Sequence, residues 1–374
     1  MNWDLPSTGV VFKSVRKLNP VQFFNLNVLD LFVLITLGRG FFDKRVKPIL
    51  LHSHTRPLTQ LKFNKEGDLL FSSGKDISWH VWRTSNGEKL GSYDGHSGSV
   101  WCVDISADTT LAVSGSGDTT CKVWDTEKGT IIHNLTASTP VRTVNFKNDK
   151  HIITITTDAT MGKPCEILTY DLRDENSLKD GIKFFRTDSQ PLNSNNKVTA
   201  AIYVAYDDLY LTSHLNGEVT QWRAATGEKL RSSCVHTNQI NSIQKSTDED
   251  FIVTASKDTT AKLLDVWLLE VVKEYKTPQA VNSASLSSLE DHVLLGGGQD
   301  SHEVTTTDTR SGKFVCRFYH KIYESEIGRV KGHFGPVNTV AFHPDGRSFA
   351  SGGEDGLIRY HYFDDSYFNF KFSY

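Results

Sequence analysis

Short apolar runs recur along the chain, each closing on small or polar residues: DLLFSSG, TLAVSGS, HIITITT, LYLTSHL, FIVTASK, HVLLGGG and SFASGGE. They lack the three-and-four spacing of an amphipathic helix. Apolar stretches of this length, bounded by Gly, Asp and Ser, predict β-strands. A turn and a further strand follow, as in TTCKVW and LIRYHYF. The stretch SGSGDTTCKVWD, Ser114 to Asp125, returns almost unchanged as TASKDTTAKLLD, Thr254 to Asp265.

Aligned on the Asp of that stretch, Asp76, Asp118, Asp158, Asn216, Asp258, Asp300 and Asp355 take comparable places. Four of the six intervals are 42 (76 to 118), 40 (118 to 158), 42 (216 to 258) and 42 (258 to 300) residues. The other two are 58 and 55. A period near 40–45 residues is that of a four-stranded propeller blade. The expected fold is therefore all-β: a seven-bladed β-propeller. The long intervals imply insertions, placed at the polar, loop-like Asp171 to Lys197 and at Tyr319 to Gly335.

The repeated letters predict a hydrogen-bonded scaffold. A turn Asp can accept from a His that leads into the first strand. That His can bond a Ser on the second strand, which reaches a Trp indole on the third. Such a chain satisfies polar groups that burial would otherwise penalise. The candidates are His54, Ser72, Asp76 and Trp82, then His96, Ser114, Asp118 and Trp124, and then His333, Ser351 and Asp355. The same residue types invite a hydrolase reading. A nucleophile, however, needs a sharp elbow such as G-x-S-x-G and an oxyanion hole. Here the Ser lies within a strand and the pattern recurs, so the expectation is structural and no enzyme activity is expected.

Composition narrows the partners. The chain has 374 residues, 38% hydrophobic and 23% charged, with net charge −3. No global field recruits nucleic acid or anionic membrane. The five cysteines are scattered and include no C-x-x-C, which favours a reducing compartment. GGGQ, Gly296 to Gln299, lacks the GK[ST] ending of a phosphate loop. His52 and His54 have no third ligand at suitable spacing, so no metal or cofactor is expected. The basic KSVRK and KRVK stretches are short and lack an aromatic RNA-binding signature. VLDLFVLITL, Val28 to Leu37, is too short to span a membrane and is interrupted by Asp30. Residues 1–45 are read as an atypical N-terminal extension, disordered or preceding the true start; the alternative is a targeting or docking helix.

Gly95–His96, Gly332–His333 and Val123–Asp125, as GH and VWD, with seven such units, resemble a WD-repeat β-propeller. The third-strand signature varies: WR at Trp82 and Trp222, YD at Tyr170, LD at Leu264, TD at Thr307 and HY at His361. The segment Gly296 to Phe363, with GGGQ, VTTT, GKF and IGRVKGHFGP, closely resembles the i-subunit family of eukaryotic translation initiation factor 3. So do KPILL, RPLTQLKFNKEGDLLFSSGKD, NGEKLGSYDGHSGSVWCVD and VNSASLSSLEDHVLLGGGQ. The resemblance covers residues 46 to 374, and Val46 stands where that family usually begins with Met. HSHTR in the first blade and LLDVWLLE around Trp267 depart from the family pattern.

The resemblance implies a non-catalytic scaffold subunit in the cytoplasm. It would support assembly of the 43S pre-initiation complex and mRNA recruitment. It implies binding to the b and g subunits, with the 40S ribosome and mRNA engaged only through the complex, and no membrane or small-molecule substrate. Carried over by position, Gln239, Asn241, Lys257 and Asp258 would contact the b subunit, with Asp258 also the turn Asp of its blade. The alternative is a signalling adaptor resembling kinase-receptor-associated WD proteins. The resemblance also implies closure of the ring by a strand at 47–51 on the strand at Leu357 to Phe363, giving a domain over 46–374. The tail DDSYFNFKFSY, alternating at Phe368, Phe370 and Phe372, reads as extended.

Overall fold

Seven four-stranded antiparallel sheets follow one another along the chain in the computed structural model, which describes residues 48–160, 162–183, 197–298 and 314–369. The sheets occupy residues 58–94, 100–136, 141–183, 198–234, 240–276, 281–331 and 337–362. The first six are meanders, the seventh gains a strand from elsewhere in the chain, and the first strand of each contacts the first strands of the sheets before and after it, the seventh returning to the first. This is a seven-bladed β-propeller. Residues 1–47 lie outside the described residues, and with them the apolar run at Val28 to Leu37 and the basic stretches.

The seventh blade takes its fourth strand from the other end of the chain. Ile49–His52 pairs antiparallel with Leu357–Tyr362, with Leu51 opposite Ile358. Leu51 is buried with Leu58, Trp82, Ile358 and Tyr360. Pairing here removes a free sheet edge. The turn of the first blade makes room for it. Gly87 has φ +73°, and a Cβ there would lie 2.5 Å from Ile49 Cγ2 and 2.7 Å from Leu51 Cδ2.

The core lies between neighbouring sheets rather than in one central mass. Val113, Val123, Val144 and Ile155 join the second and third blades. Val253, Leu263, Val281 and Leu295 join the fifth and sixth. Polar groups also tie the blades together. Asp104 is buried, pairs with Lys62 of the first blade and accepts from the Phe146 amide of the third at 2.8 Å.

Three sequence expectations need correction. Asp171 to Lys197 is not all loop: Glu175–Asp180 is helical, capped by the Asp174 carboxylate on the Asn176 amide, and Ile182–Lys183 pairs as the fourth strand of its blade. Residues 184–196 lie outside the described residues. Tyr319 to Gly335 is not an insertion. It holds the end of the strand Val315–His320, a tight turn and the strand Glu326–Lys331. The long interval instead falls between the second and third strands of the sixth blade, around residues 299–313, which lie outside the described residues together with Asp300 and Thr307. Tyr319, paired with Val293, holds the place that Trp82 holds opposite Leu70. The tail is not extended at its start. Asp365–Phe368 is a helical turn, with Asp364 accepting from the Tyr367 amide. Its driving force is the Tyr367 ring, stacked on Phe363 at 3.9 Å and buried.

Candidate functional site

The structure brings the repeated His, Ser, Asp and Trp together. In the first blade His54 Nδ1 lies 2.9 Å from Asp76 Oδ2, His54 Nε2 lies 2.9 Å from Ser72 Oγ, and the Trp82 indole donates to that oxygen at 2.9 Å. In the second, His96 Nδ1 lies 3.0 Å from Asp118 and Nε2 2.7 Å from Ser114, with the Trp124 indole donating to Ser114 at 2.8 Å. The donors fix one direction. Indole N–H can only donate and carboxylate can only accept. The Ser hydroxyl therefore donates to His Nε2, and the protonated Nδ1 donates to Asp.

Burial lowers the pKa of His54 and His96 below the ordinary imidazole value, although each aspartate pulls the other way. The rings are neutral links. Burial alone would raise the Asp118 carboxyl, but donors from Thr120 and the Ser97 amide outweigh it and hold it well below the usual range. Ser72 and Ser114 are fully buried, and each oxygen already receives an indole N–H. Neither is presented to a substrate.

The other blades vary this plan. His333 bonds Ser351 at 2.9 Å and Asp355 at 3.1 Å, but His361 replaces the Trp. His361 stacks on Phe349 at 4.7 Å, and buried Arg359 donates to Asp355 at 3.0 Å. In the fourth blade the Trp222 indole donates to Thr212 at 2.9 Å, and the His partner of Thr212 is His214, from the same strand, at 3.1 Å.

The fifth blade carries a chain that sequence reading did not complete. His236 bonds Asp258 at 2.8 Å and Thr254 at 2.8 Å. Spacing was the available signal: His54–Asp76, His96–Asp118, His236–Asp258 and His333–Asp355 are all 22 residues apart. Asp258 also accepts from the Thr237 amide and Thr260, so its carboxylate is committed to the scaffold.

Of the other residues carried over from the resemblance, two lie at the central channel. Asn241 and Lys257 line the channel beside Thr59, Trp101, Arg142, Asn282, Asn338 and Glu354. Gln239 is half-buried just before the strand, its carbonyl accepting from the Lys257 amide at 2.9 Å. Elsewhere on the fifth blade the LLDVWLLE departure and the strand after it display apolar surface. Trp267, Leu268, Val271 and Val272 are each about half exposed, at 54%, 49%, 45% and 45%. Among the described residues no His, Cys, Asp or Glu group could hold a metal ion.

A ring of blades held by His–Asp and Ser or Thr chains, with its closing strand borrowed from the opposite end, defines a WD-repeat propeller. The chain belongs to the family described as EIF3I, whose model matches residues 46–373. It is 50% identical over 326 residues to a zebrafish (Danio rerio) protein named eukaryotic translation initiation factor 3 subunit I, covering 87% of this chain and 99% of that one. Proteins of the same name from Bombyx mori and Homo sapiens are 49% and 48% identical over 333 and 327 residues, covering 88% and 87% of this chain and 99% of each relative.

Proposed function

We propose that this chain is a scaffold subunit of translation initiation factor 3 and performs no catalysis of its own. The observation that carries the reading is the match over 46–373, together with near-full-length identity to relatives bearing that subunit's name. Residues 46–374 form the functional unit, with 1–45 an appendage to it. The tetrad serines are buried and bonded, which supports a structural role for them.

In this reading the propeller binds the b and g subunits in the cytoplasm, and the 40S ribosome and mRNA are reached through the complex. Assembly of the 43S pre-initiation complex and mRNA recruitment are thereby supported. Gln239, Asn241 and Lys257 contact the b subunit, while Asp258 acts chiefly by holding the loop that presents them. The exposed apolar residues at Trp267 and Leu268 also suit a chain that works inside an assembly. Among the described residues no helix is long and apolar enough to cross a membrane.

The test mixes the purified chain with the b subunit and measures the complex by size-exclusion chromatography and titration calorimetry. A one-to-one complex, weakened by Lys257→Glu in a variant that still folds, is expected. Absence of a complex defeats the functional reading. A complex indifferent to Lys257→Glu and Gln239→Ala defeats the site assignment alone.

A further inference from the structure

The second residue of each first strand faces the channel, and at four of the seven positions it bonds the next blade. Asn241 donates to the Val281 carbonyl at 3.0 Å, Asn282 to Val337 at 3.1 Å, Asn338 to Leu58 at 3.0 Å and Thr59 to Val100 at 2.9 Å. This belt runs unbroken from the fifth blade round to the second. Thr199 of the fourth blade turns back on its own sheet, to the Ser213 carbonyl.

At the second and third blades the belt stops. Trp101 and Arg142 occupy the two equivalent positions, and neither side chain hydrogen-bonds to any described residue. The Arg142 guanidinium lies over the Trp101 ring, 5.0 Å from its centroid. Gly117 lies beside the indole, where a Cβ would rest on the ring at an ordinary contact distance of 3.5 Å. An aromatic shelf and the planar cation stacked on it thus stand where ring closure would call for a short amide or hydroxyl. The cation–π contact fixes the guanidinium and leaves its N–H donors without a partner among the described residues.

The channel encloses about 480 Å³ and draws its lining from the first strands of all seven blades. Among the described residues its charged lining is Lys75, Arg142, Lys257 and Glu354. Glu354 is neutralised by Lys75 at 3.5 Å and accepts from Asn338 at 2.8 Å. Lys257 has a partner of its own, which leaves Arg142 as the cation of this lining with no ionic or hydrogen-bonding partner among the described residues. We propose that the channel mouth at Trp101 and Arg142 binds an acidic, extended protein segment, one of whose carboxylates docks on the Arg142 guanidinium. The planar fork matches a carboxylate in two parallel hydrogen bonds, and stacking on the indole holds it in place. A nucleic acid fits less well, because three cations do not make a basic groove that tracks a phosphate backbone.

The experiment is fluorescence anisotropy of labelled hexaglutamate titrated with the purified full chain at low salt. Labelled hexaglutamine and hexauridylate are the comparison probes. Hexaglutamate is expected to bind and hexaglutamine not to, with affinity falling as salt is raised. Arg142→Gln should weaken binding roughly tenfold or more, as loss of a charge-assisted pair requires. Arg142→Lys keeps the charge but not the fork and should weaken it roughly threefold; it serves if the Gln variant does not fold. Failure of hexaglutamate to bind overturns the proposal. So does equal binding by both variants and the parent chain, or tighter binding of hexauridylate.

Discussion

The indole of Trp124 donates to the hydroxyl of Ser114 at 2.8 Å, and the same oxygen lies 2.7 Å from His96 Nε2. One small side chain therefore satisfies two larger buried groups on neighbouring strands and the incoming loop. In the fifth blade Leu264 replaces the Trp, and Thr254 serves His236 together with its own strand partner.

That difference sets a ranking. Ser114→Ala leaves both Trp124 and His96 short of a partner, at about 1–3 kcal/mol for each orphaned group. Thr254→Val orphans His236 and takes a longer, 3.2 Å bond from the Lys262 carbonyl, but leaves no indole unpaired. Chemical denaturation should show the larger loss for Ser114→Ala. Equal losses would mean that the indole bond contributes nothing.

Acid should destabilise the fold well above the carboxylate range. Burial, with Arg359 and His333 nearby, pulls His361 from 6.5 down to about 3, and burial with His320 pulls His292 to about 4. As pH falls through 6.5 the unfolded chain takes up protons on these rings and the folded chain does not. The stability they confer is full above 6.5 and is lost toward pH 4. His361→Phe, which keeps the stack on Phe349, should flatten the decline of melting temperature between pH 6.5 and 4.5. An unchanged slope would contradict this.

The carboxy-terminal turn should act as a latch on the sixth and seventh blades. The Tyr367 hydroxyl lies 2.6 Å from His292 Nδ1, and its ring packs with Phe318 and Phe363. Tyr367→Phe removes one buried hydrogen bond and should cost about 1–3 kcal/mol. Tyr367→Ala also empties the ring site and should cost about 3–5 kcal/mol. Hydrogen exchange in His292–Gly297 reads both variants, and protection unchanged in Tyr367→Ala would refute the latch.

Closure of the ring is expected to depend on Leu51. Leu51→Ala should cost about 2–5 kcal/mol, as for other buried leucines. Leu51→Asp should release the strand and expose the edge at Leu357–Tyr362, seen as concentration-dependent association in light scattering. A monomeric Leu51→Asp protein with the parent melting temperature would count against closure by this strand.

The blade count was legible because each blade repeats a strand pattern near 40 residues, and the tetrads because His, Ser, Asp and Trp recur at fixed offsets. His236 and Thr254 were equally readable at the 22-residue spacing, but Leu264 in place of Trp hid the unit. Thr307 was misplaced because extra residues separate the second and third strands of the sixth blade, and an interval count cannot say where within a blade they fall. Phe368 and its neighbours alternate like a strand, yet Asp364 caps a helical turn and Tyr367 finds an aromatic pocket made by distant residues. The Asn241–Asn282–Asn338 belt was illegible for the same reason: its partners lie on the next blade.

The central claim concerns assembly, and the most direct measurement is affinity isolation of the tagged full-length chain from cytosolic extract at moderate salt, with partners quantified by mass spectrometry. The account predicts the subunits of initiation factor 3, b and g among them, at about one copy per copy of this chain. Recovery of receptors or kinases without those subunits would contradict it.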